Sequence, residues 1–276
     1  MHPVYSVVRQ TETRRLRRVA VSGLSVRVRR PIRQNDAVQM SLAPGDVHVW
    51  CRATDALGDA DIKAAVTLLS PDERSRWARF RFARDQRDYA AAHALLRLSL
   101  SRYADVTPRS WQFREASGGK PSLVLDEGMP RLSFNLSHTH GLVACAIAGG
   151  SDVGIDVEAV DRQVSDGVAE RFFSESENAD LRARAPGRHH AHRFFDFWTL
   201  KEAYVKAIGK GLSHPLDTIV FKVSDDGSIA FIPPPETAAD CWQFALFSPT
   251  ERHRLAVAAR RVGDVASRIQ MMPANG

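Results

Sequence analysis

Residues 153–158 read Val-Gly-Ile-Asp-Val-Glu, and this alternation constrains the fold more than any other stretch of the 276-residue chain. Successive side chains on a strand point to opposite faces, so Asp156 and Glu158 share one face while Ile155 and Val157 share the other. The apolar face predicts packing into a core. Like charges side by side on a strand are unfavourable. A hard cation such as Mg²⁺, which prefers carboxylate oxygens, would relieve that repulsion.

A second segment, residues 197–208, has the residue propensities and the apolar period of a helix. Glu202 and Lys206 lie one turn apart in it and therefore face the same way. Glu202 would supply a third carboxylate to a metal site, and Lys206 would place a cation beside an anionic ligand. The two segments together fit a magnesium-bound diphosphate substrate.

The formal net charge of +6 is unevenly distributed. Residues 1–40 contain nine arginines against Glu12 and Asp36, a net charge of +7, so the rest of the chain carries −1. That near-neutral body argues against nucleic-acid binding, which would need a basic stripe. The arm is interpreted as a disordered extension or as translated sequence ahead of a start at Met40. By composition alone it also resembles a mitochondrial-type targeting segment.

Three cysteines, Cys51, Cys145 and Cys241, stand far apart in apolar surroundings. An odd number without a CxxC pair predicts buried thiols in a reducing cytosol, not disulfides or a zinc site. No apolar run approaches the roughly 18 residues that a membrane span needs. We therefore expect a cytoplasmic protein that does not contact membranes.

Each half of the body combines strands with one long helix, at 87–103 and at 194–208. We expect an α+β fold of two similar α/β halves related by a pseudo-twofold, each with a small, mainly antiparallel sheet. The sequence shows no convincing residue-level repeat. The expected divisions are a basic extension, an N-terminal half, a C-terminal half with the metal site, and a tail: 1–40, 41–150, 151–262 and 263–276.

Three more segments carry charged or polar residues, and each segment has two interpretations. The six arginines from Arg74 to Arg87 form either a solvated helix face or a cradle for phosphates. The turn at 117–121 presents Lys120 to an anion or is a plain surface turn. Ser137 and His138, between two apolar strands, satisfy loop amides or bind a ligand. The histidines within 189–192 lack a zinc spacing and are interpreted as a solvated loop or the start of a helix.

These motifs resemble a known family. Gly-Ile-Asp-Val-Glu at 154–158, followed by Trp-Thr-Leu-Lys-Glu-Ala-Tyr-Val-Lys at 198–206, resembles the paired signature of the 4′-phosphopantetheinyl transferases. Residues 119–121, 134–138, 171–174 and 209–212 fall where that family has similar segments. The resemblance covers roughly residues 46–260. The length and the two long helices are similar to those of the surfactin-synthetase type, a pseudo-dimer in one chain.

The resemblance implies a reaction and its participants. Phosphopantetheine would pass from coenzyme A to a serine of an apo acyl or peptidyl carrier protein, with Mg²⁺ as cofactor and adenosine 3′,5′-bisphosphate as product. A monomer is expected. Two alternatives stay open: an inactive homologue that binds coenzyme A or a carrier, and a basic nucleic-acid-associated protein.

The resemblance also implies roles for individual residues. The implied metal ligands are Asp156, Glu158 and Glu202. The implied catalytic residues are Glu158, as ligand or base, with Glu202, Lys206 and His138. The implied contacts with coenzyme A are Arg76, Arg87, Lys120, Pro121, Ser137, His138, Lys201 and Lys206.

Overall fold

The computed structural model describes residues 39–115, 119–211, 214–234, 237–263 and 268–273. Its helices are α1 (Asp59–Leu68), α2 (Pro71–Trp77), α3 (Ala83–Leu100), α4 (Val168–Phe172), α5 (Glu175–Arg182) and α6 (Arg188–Ile208). Its strands are β1 (Val47–Ala53), β2 (Phe113–Glu115), β3 (Pro121–Leu123), β4 (Leu132–Thr139), β5 (Leu142–Gly149), β6 (Val153–Ala159), β7 (Val220–Val223), β8 (Ile229–Ile232), β9 (Trp242–Thr250), β10 (His253–Arg260) and β11 (Ile269–Met271).

The two larger sheets repeat one strand order. In the first, β1 pairs antiparallel with β5 and β5 with β4; in the second, β6 pairs antiparallel with β10 and β10 with β9. Each half of the chain runs strand, two short helices, long helix, two-stranded ribbon and hairpin. The expected α+β fold, with a small antiparallel sheet and a long helix in each half, is confirmed. The repeated order is what the expected pseudo-twofold requires.

The sheets pack against each other through small and branched apolar side chains, among them Val49, Ala146, Ile155 and Val257. The outer face of the first sheet is covered by α3, and the outer face of the second by α6. Strand alternation explains this division, because every second residue of a strand faces the other sheet. The side chains at 156 and 158 of β6 therefore face away from the core between the sheets.

Each half also contains a buried ion pair that was not predicted from the sequence. Glu73, in the capping box at the start of α2, pairs with Arg97 on α3 at 2.9 Å. Glu177, in the capping box at the start of α5, pairs with Lys201 on α6 at 2.8 Å. In both halves the basic residue follows the glutamate by 24 positions. This is a residue-level repeat, and its sequence signal is two Ser-x-x-Glu boxes with a base at a fixed distance.

The expectation that the chain from residue 263 is a tail is wrong for residues 269–271, which form β11. Ile269–Met271 pairs in parallel with β1, and the N–H of Met272 donates to the carbonyl of Val49 at 2.8 Å. The outer edge of β1 would otherwise present unpaired backbone groups, so a short terminal strand satisfies them. Three residues are too short for an alternating pattern to reveal a strand.

The expected basic extension lies outside the described residues except for its last two positions. The N–H of Met40 donates to the carbonyl of Arg102 at 2.7 Å, and the amide of Gln39 donates to the carbonyl of Tyr103. The described residues from 39 onward form one compact unit, so the two expected halves are parts of a single folded body. None of the helices in the described ranges combines the length and hydropathy that crossing a bilayer requires.

Candidate active site

β6 and α6 meet with almost no space between their backbones. A Cβ atom placed on Gly154 would lie 1.9 Å from the carbonyl oxygen of Ala203 and 2.5 Å from the nitrogen of Ala207. Real Cβ atoms do not approach backbone that closely, so only glycine fits this position. The first glycine of the motif therefore sets the distance between the strand that carries the carboxylates and the helix that faces them.

This close packing brings the two predicted segments into contact. Asp156 on β6 is buried, with 5% of its surface exposed, and the Nζ of Lys206 on α6 lies 2.6 Å from its Oδ1. Glu202 is half-buried one turn before Lys206. Glu158, two residues along β6, is half-buried and pairs with Arg162 at 3.3 Å. Three carboxylates and one ammonium thus share the gap between β6 and α6.

The carboxylates are electrostatically crowded. Burial first, then the charges of Asp156 and Glu158, raise the pKa of Glu202 to about 7 against the opposing charge of Lys206. Burial, followed by the charge of Asp156, also raises the pKa of Glu158. Both shifts favour the protonated form, and the three carboxylates outnumber the two cations paired with them, Lys206 and Arg162.

Two oxygens in this gap fit a hard cation. Asp156 Oδ2 and Glu202 Oε1 are buried and have no hydrogen-bond partner among the described residues. Unpaired buried carboxylate oxygens are costly, and an all-oxygen donor set is what Mg²⁺ prefers. In the described part of the chain, however, no three Asp, Glu, His or Cys side chains gather closely enough to hold one ion. The three-carboxylate ligand set therefore stays a prediction.

Ser137 on β4 lies inside this cluster. Its hydroxyl is 3.0 Å from Asp156 Oδ1 and 3.1 Å from Lys206 Nζ, and it accepts the N–H of Val157 at 3.2 Å. The serine is buried and its hydrogen-bonding capacity is filled by protein groups. The predicted contact between Ser137 and coenzyme phosphates is not what this arrangement favours.

His138, the next residue of β4, is exposed. Partial desolvation lowers the pKa of its imidazole; Asp88 on α3 raises it, and Lys206 lowers it. The ring is therefore neutral at neutral pH. Because Asp88 belongs to α3 and Lys206 to α6, His138 lies near both long helices.

Comparison with known proteins shows which family the chain belongs to. A model of the 4′-phosphopantetheinyl transferase superfamily matches residues 152–258, and a model of the 4′-phosphopantetheinyl transferase N-terminal region matches residues 58–149. A 4′-phosphopantetheinyl transferase of Bacillus subtilis is 30% identical over 194 residues, which cover 70% of this chain and 83% of the relative. The chain belongs to the 4′-phosphopantetheinyl transferases.

A further relative agrees with this membership, and one solved structure is similar to part of the chain. The 4′-phosphopantetheinyl transferase HetI of Nostoc sp. (strain PCC 7120) is 36% identical over 176 residues, 63% of this chain and 73% of the relative. A solved holo-[acyl-carrier-protein] synthase of Thermotoga maritima is 27% identical, covers 40% of this chain and 62% of its own, and superposes with a TM-score of 0.32. The activity of the chain is that of its family: transfer of phosphopantetheine from coenzyme A to carrier proteins.

The predicted coenzyme contact of Lys201 is wrong. Lys201 is fully buried, its Nζ lies 2.8 Å from Glu177 Oε2, and it also donates to the carbonyls of Leu216 and Ile219. These three acceptors use all three hydrogens of the ammonium. The transferase uses this lysine to tie α5, α6 and the chain before β7 together.

Replacing Lys201 should therefore destabilise the fold, and it should not act by removing a contact with coenzyme A. We expect Lys201→Met to lower the free energy of unfolding by about 3–5 kcal/mol, because the Glu177 carboxylate is left buried without a counter-charge. Urea denaturation measures the loss, with Lys222→Met on the exposed face of β7 as the matched control. The double variant with Glu177→Gln should recover part of it. A single variant as stable as Lys222→Met would contradict this role.

Pro121 is the first residue of β3, and Lys120 directly precedes it, beside the end of α6. Pro121 is exposed. The ammonium of Lys120 donates to the carbonyls of Val153 and Ala207, at 2.9 and 3.0 Å, and burial lowers its pKa. These bonds join the start of β6 to the last turn of α6, so they favour a structural role for Lys120 over the predicted phosphate contact.

Arg76 and Arg87 lie on α2 and α3 in the N-terminal half. Arg76 is exposed. Arg87 is half-buried, its Nε is 4.0 Å from Asp88 Oδ1, and that Nε has no hydrogen-bond partner among the described residues. An inward-facing guanidinium with an unused donor is compatible with an anionic ligand. The predicted contacts of both arginines with coenzyme A stay predictions.

Proposed function

We propose that the transferase carries out its reaction at the β6–α6 gap and that it depends on Mg²⁺ held there by Asp156 and Glu202, with Glu158 as a further ligand or as the base. One observation carries the proposal. Asp156 Oδ2 and Glu202 Oε1 lie buried on the two sides of the gap, beside Lys206, and neither is hydrogen-bonded by any residue that the structure describes. The bound cation would offset the negative charge of the coenzyme diphosphate.

The side chains around the gap account for the rest of the transfer. The carrier serine hydroxyl forms a bond to the phosphorus of the phosphopantetheine arm, and the bond from that phosphorus to the bridging oxygen breaks. Lys206 stabilises the charge on the departing adenosine 3′,5′-bisphosphate. Glu158 takes the serine proton; its raised pKa moves it toward the range in which a carboxylate accepts protons at neutral pH.

His138 suits a different task from these groups. It is neutral and exposed, and charged groups of both α3 and α6 lie near it. A neutral imidazole offers one donor and one acceptor, which suits a hydrogen bond to the diphosphate of coenzyme A. We propose that His138 orients the diphosphate.

The test of the metal dependence is a magnesium titration. Transfer to an apo-carrier should stop in excess EDTA and return when Mg²⁺ is restored. Glu202→Gln, which removes a charge without removing volume, should raise the magnesium concentration for half-maximal rate. A rate unchanged by EDTA would exclude the metal from the reaction.

The magnesium requirement should depend on pH. Because the pKa of Glu202 is raised to about 7, its carboxyl is protonated in the metal-free protein below that pH, and the cation must displace a proton. We expect the half-saturating Mg²⁺ concentration to rise about tenfold for each unit by which the pH falls below 7, and to be constant above pH 7. Steady-state rates at several pH values measure this. A half-saturating Mg²⁺ concentration that does not change between pH 6 and pH 8 would contradict this expectation.

The partner proposed for this chemistry is an apo acyl or peptidyl carrier protein, with coenzyme A as the other substrate. One chain supplies both halves, so we propose that the transferase acts as a monomer. Cys51, Cys145 and Cys241 are free thiols, as a reducing cytoplasm requires, although only Cys145 is buried as predicted. The family relationships do not favour the inactive homologue or the nucleic-acid-associated protein.

A further inference from the structure

β4 presents a row of polar side chains to the outer edge of β6. Asn135 Oδ1 accepts the N–H of Ile155 at 2.9 Å, and Ser137 Oγ accepts the N–H of Val157 at 3.2 Å. The two strands belong to different sheets and share no backbone ladder. Asn135 and Ser137 therefore satisfy backbone donors of β6 that a neighbouring strand would otherwise satisfy. The strand that carries the carboxylates is thus held by side chains of the N-terminal half.

The orientation of the Ser137 hydroxyl follows from counting its bonds. A hydroxyl has one hydrogen to donate and two lone pairs to accept with. The N–H of Val157 and the ammonium of Lys206, at 3.2 and 3.1 Å, are both donors and occupy the lone pairs. The single hydrogen is left for Asp156 Oδ1 at 3.0 Å. Ser137 is buried, so water does not compete for these positions.

This orientation determines which oxygen of Asp156 remains available. Ser137 and Lys206 both bind Oδ1, at 3.0 and 2.6 Å, while Oδ2 is buried and has no hydrogen-bond partner in the described part of the chain. We propose that Ser137 is a positioning residue for the transfer. It fixes the carboxylate of Asp156 so that Oδ2 faces the cation, and it sets the register of β6 against the N-terminal half. This inference rests on the proposed function.

A positioning role for Ser137 can be distinguished by experiment from a contact with the phosphates of coenzyme A. A phosphate contact would make its loss visible in the KM for coenzyme A. A positioning role acts through Asp156, so its loss should weaken metal binding and leave that KM unchanged. The two roles therefore predict opposite patterns.

The direct readout is binding of Mn²⁺, a spectroscopic substitute for Mg²⁺, with coenzyme A present and no carrier. Electron paramagnetic resonance follows the free ion. We expect Ser137→Ala to weaken Mn²⁺ binding about 10–100-fold, the usual cost of losing a group that orients a ligand. The KM for coenzyme A should stay within about twofold of the wild-type value, and Ser137→Thr, which keeps the hydroxyl, should restore metal binding.

The matched control is Ser133→Ala. Ser133 lies four residues earlier on the same face of β4, and its hydroxyl donates to the carbonyl of Ser151, away from the carboxylates. This variant should bind Mn²⁺ as the wild type does. If Ser137→Ala does not fold, Ser137→Cys, which keeps a side chain of similar shape but donates weakly, takes its place in the same titration.

Wild-type-like Mn²⁺ binding by Ser137→Ala or Ser137→Cys would overturn the inference. A raised KM for coenzyme A with unchanged Mn²⁺ binding would also overturn it, in favour of a phosphate contact. Neither result overturns the proposed function, whose failure would be seen instead in the wild-type protein, as no Mn²⁺ binding or as transfer without a divalent cation.

Discussion

Asp156→Asn should lower the rate of carrier modification by about 10²–10³-fold, the loss typical when one charge-stabilising group of an active site is removed. The amide keeps the shape of the carboxylate but not its charge, so it neither holds a cation nor pairs with Lys206 at 2.6 Å. The fold should persist, because Ile155 and Val157 still pack between the sheets. Chromatographic separation of apo- and holo-carrier measures the rate, and thermal unfolding checks the fold.

The control for Asp156→Asn is the same change four residues earlier. Asp152 is exposed and pairs with Arg260 at 3.5 Å, outside the gap between β6 and α6. Asp152→Asn should modify the carrier within about twofold of the wild-type rate, as expected of a surface substitution. Near-normal turnover by Asp156→Asn would exclude this carboxylate from the reaction.

Gly154→Ala should be the more damaging of the two changes, since it acts on both stability and activity. The added methyl would meet the backbone of α6 at 1.9 and 2.5 Å, and neither backbone atom belongs to a flexible side chain. The helix must move, at a cost of about 1–3 kcal/mol or more. Because α6 carries Glu202 and Lys206, they move away from Asp156, and a misplacement of about 1 Å can cost about 10²-fold in rate.

Gly58→Ala is the matched glycine control. A Cβ at Gly58 would meet nothing closer than the Asp61 carboxylate at 3.8 Å, and its backbone is extended. It should be close to the wild type in urea denaturation and in transfer. Transfer by Gly154→Ala is to be measured well below its own melting temperature, so that unfolding does not account for the loss. A Gly154→Ala protein with wild-type stability and rate would disprove the close approach of β6 and α6.

Local patterns allowed much of this fold to be predicted from the sequence. The alternation at 153–158 became β6, and Gly209, predicted as a helix end, stops α6 with a φ of 68°. Helix α6 begins at Arg188, earlier than the predicted 194, so the histidines at 189–192 belong to it. Their polar faces had hidden the helical period, which the apolar residues reveal only from Phe194 onward.

The errors concern contacts between distant segments. Lys201 and Lys206 both looked suitable for an anion, but five residues on a helix turn the side chain by about 140°. Lys201 therefore faces Glu177 in the core, while Lys206 faces Asp156. Nothing in the local sequence around either lysine shows which carboxylate it meets. The same limit applies to Ser137, whose partners lie on β6 and α6.

The most direct test of the account is the mass of an apo-carrier protein after incubation with the full chain, coenzyme A and Mg²⁺. We expect a gain equal to one phosphopantetheine group, absent with EDTA and, at a Mg²⁺ concentration that half-saturates the wild type, reduced with Glu202→Gln over the same time. A gain of the same size with either EDTA or Glu202→Gln would contradict a reaction centred on the carboxylates between β6 and α6.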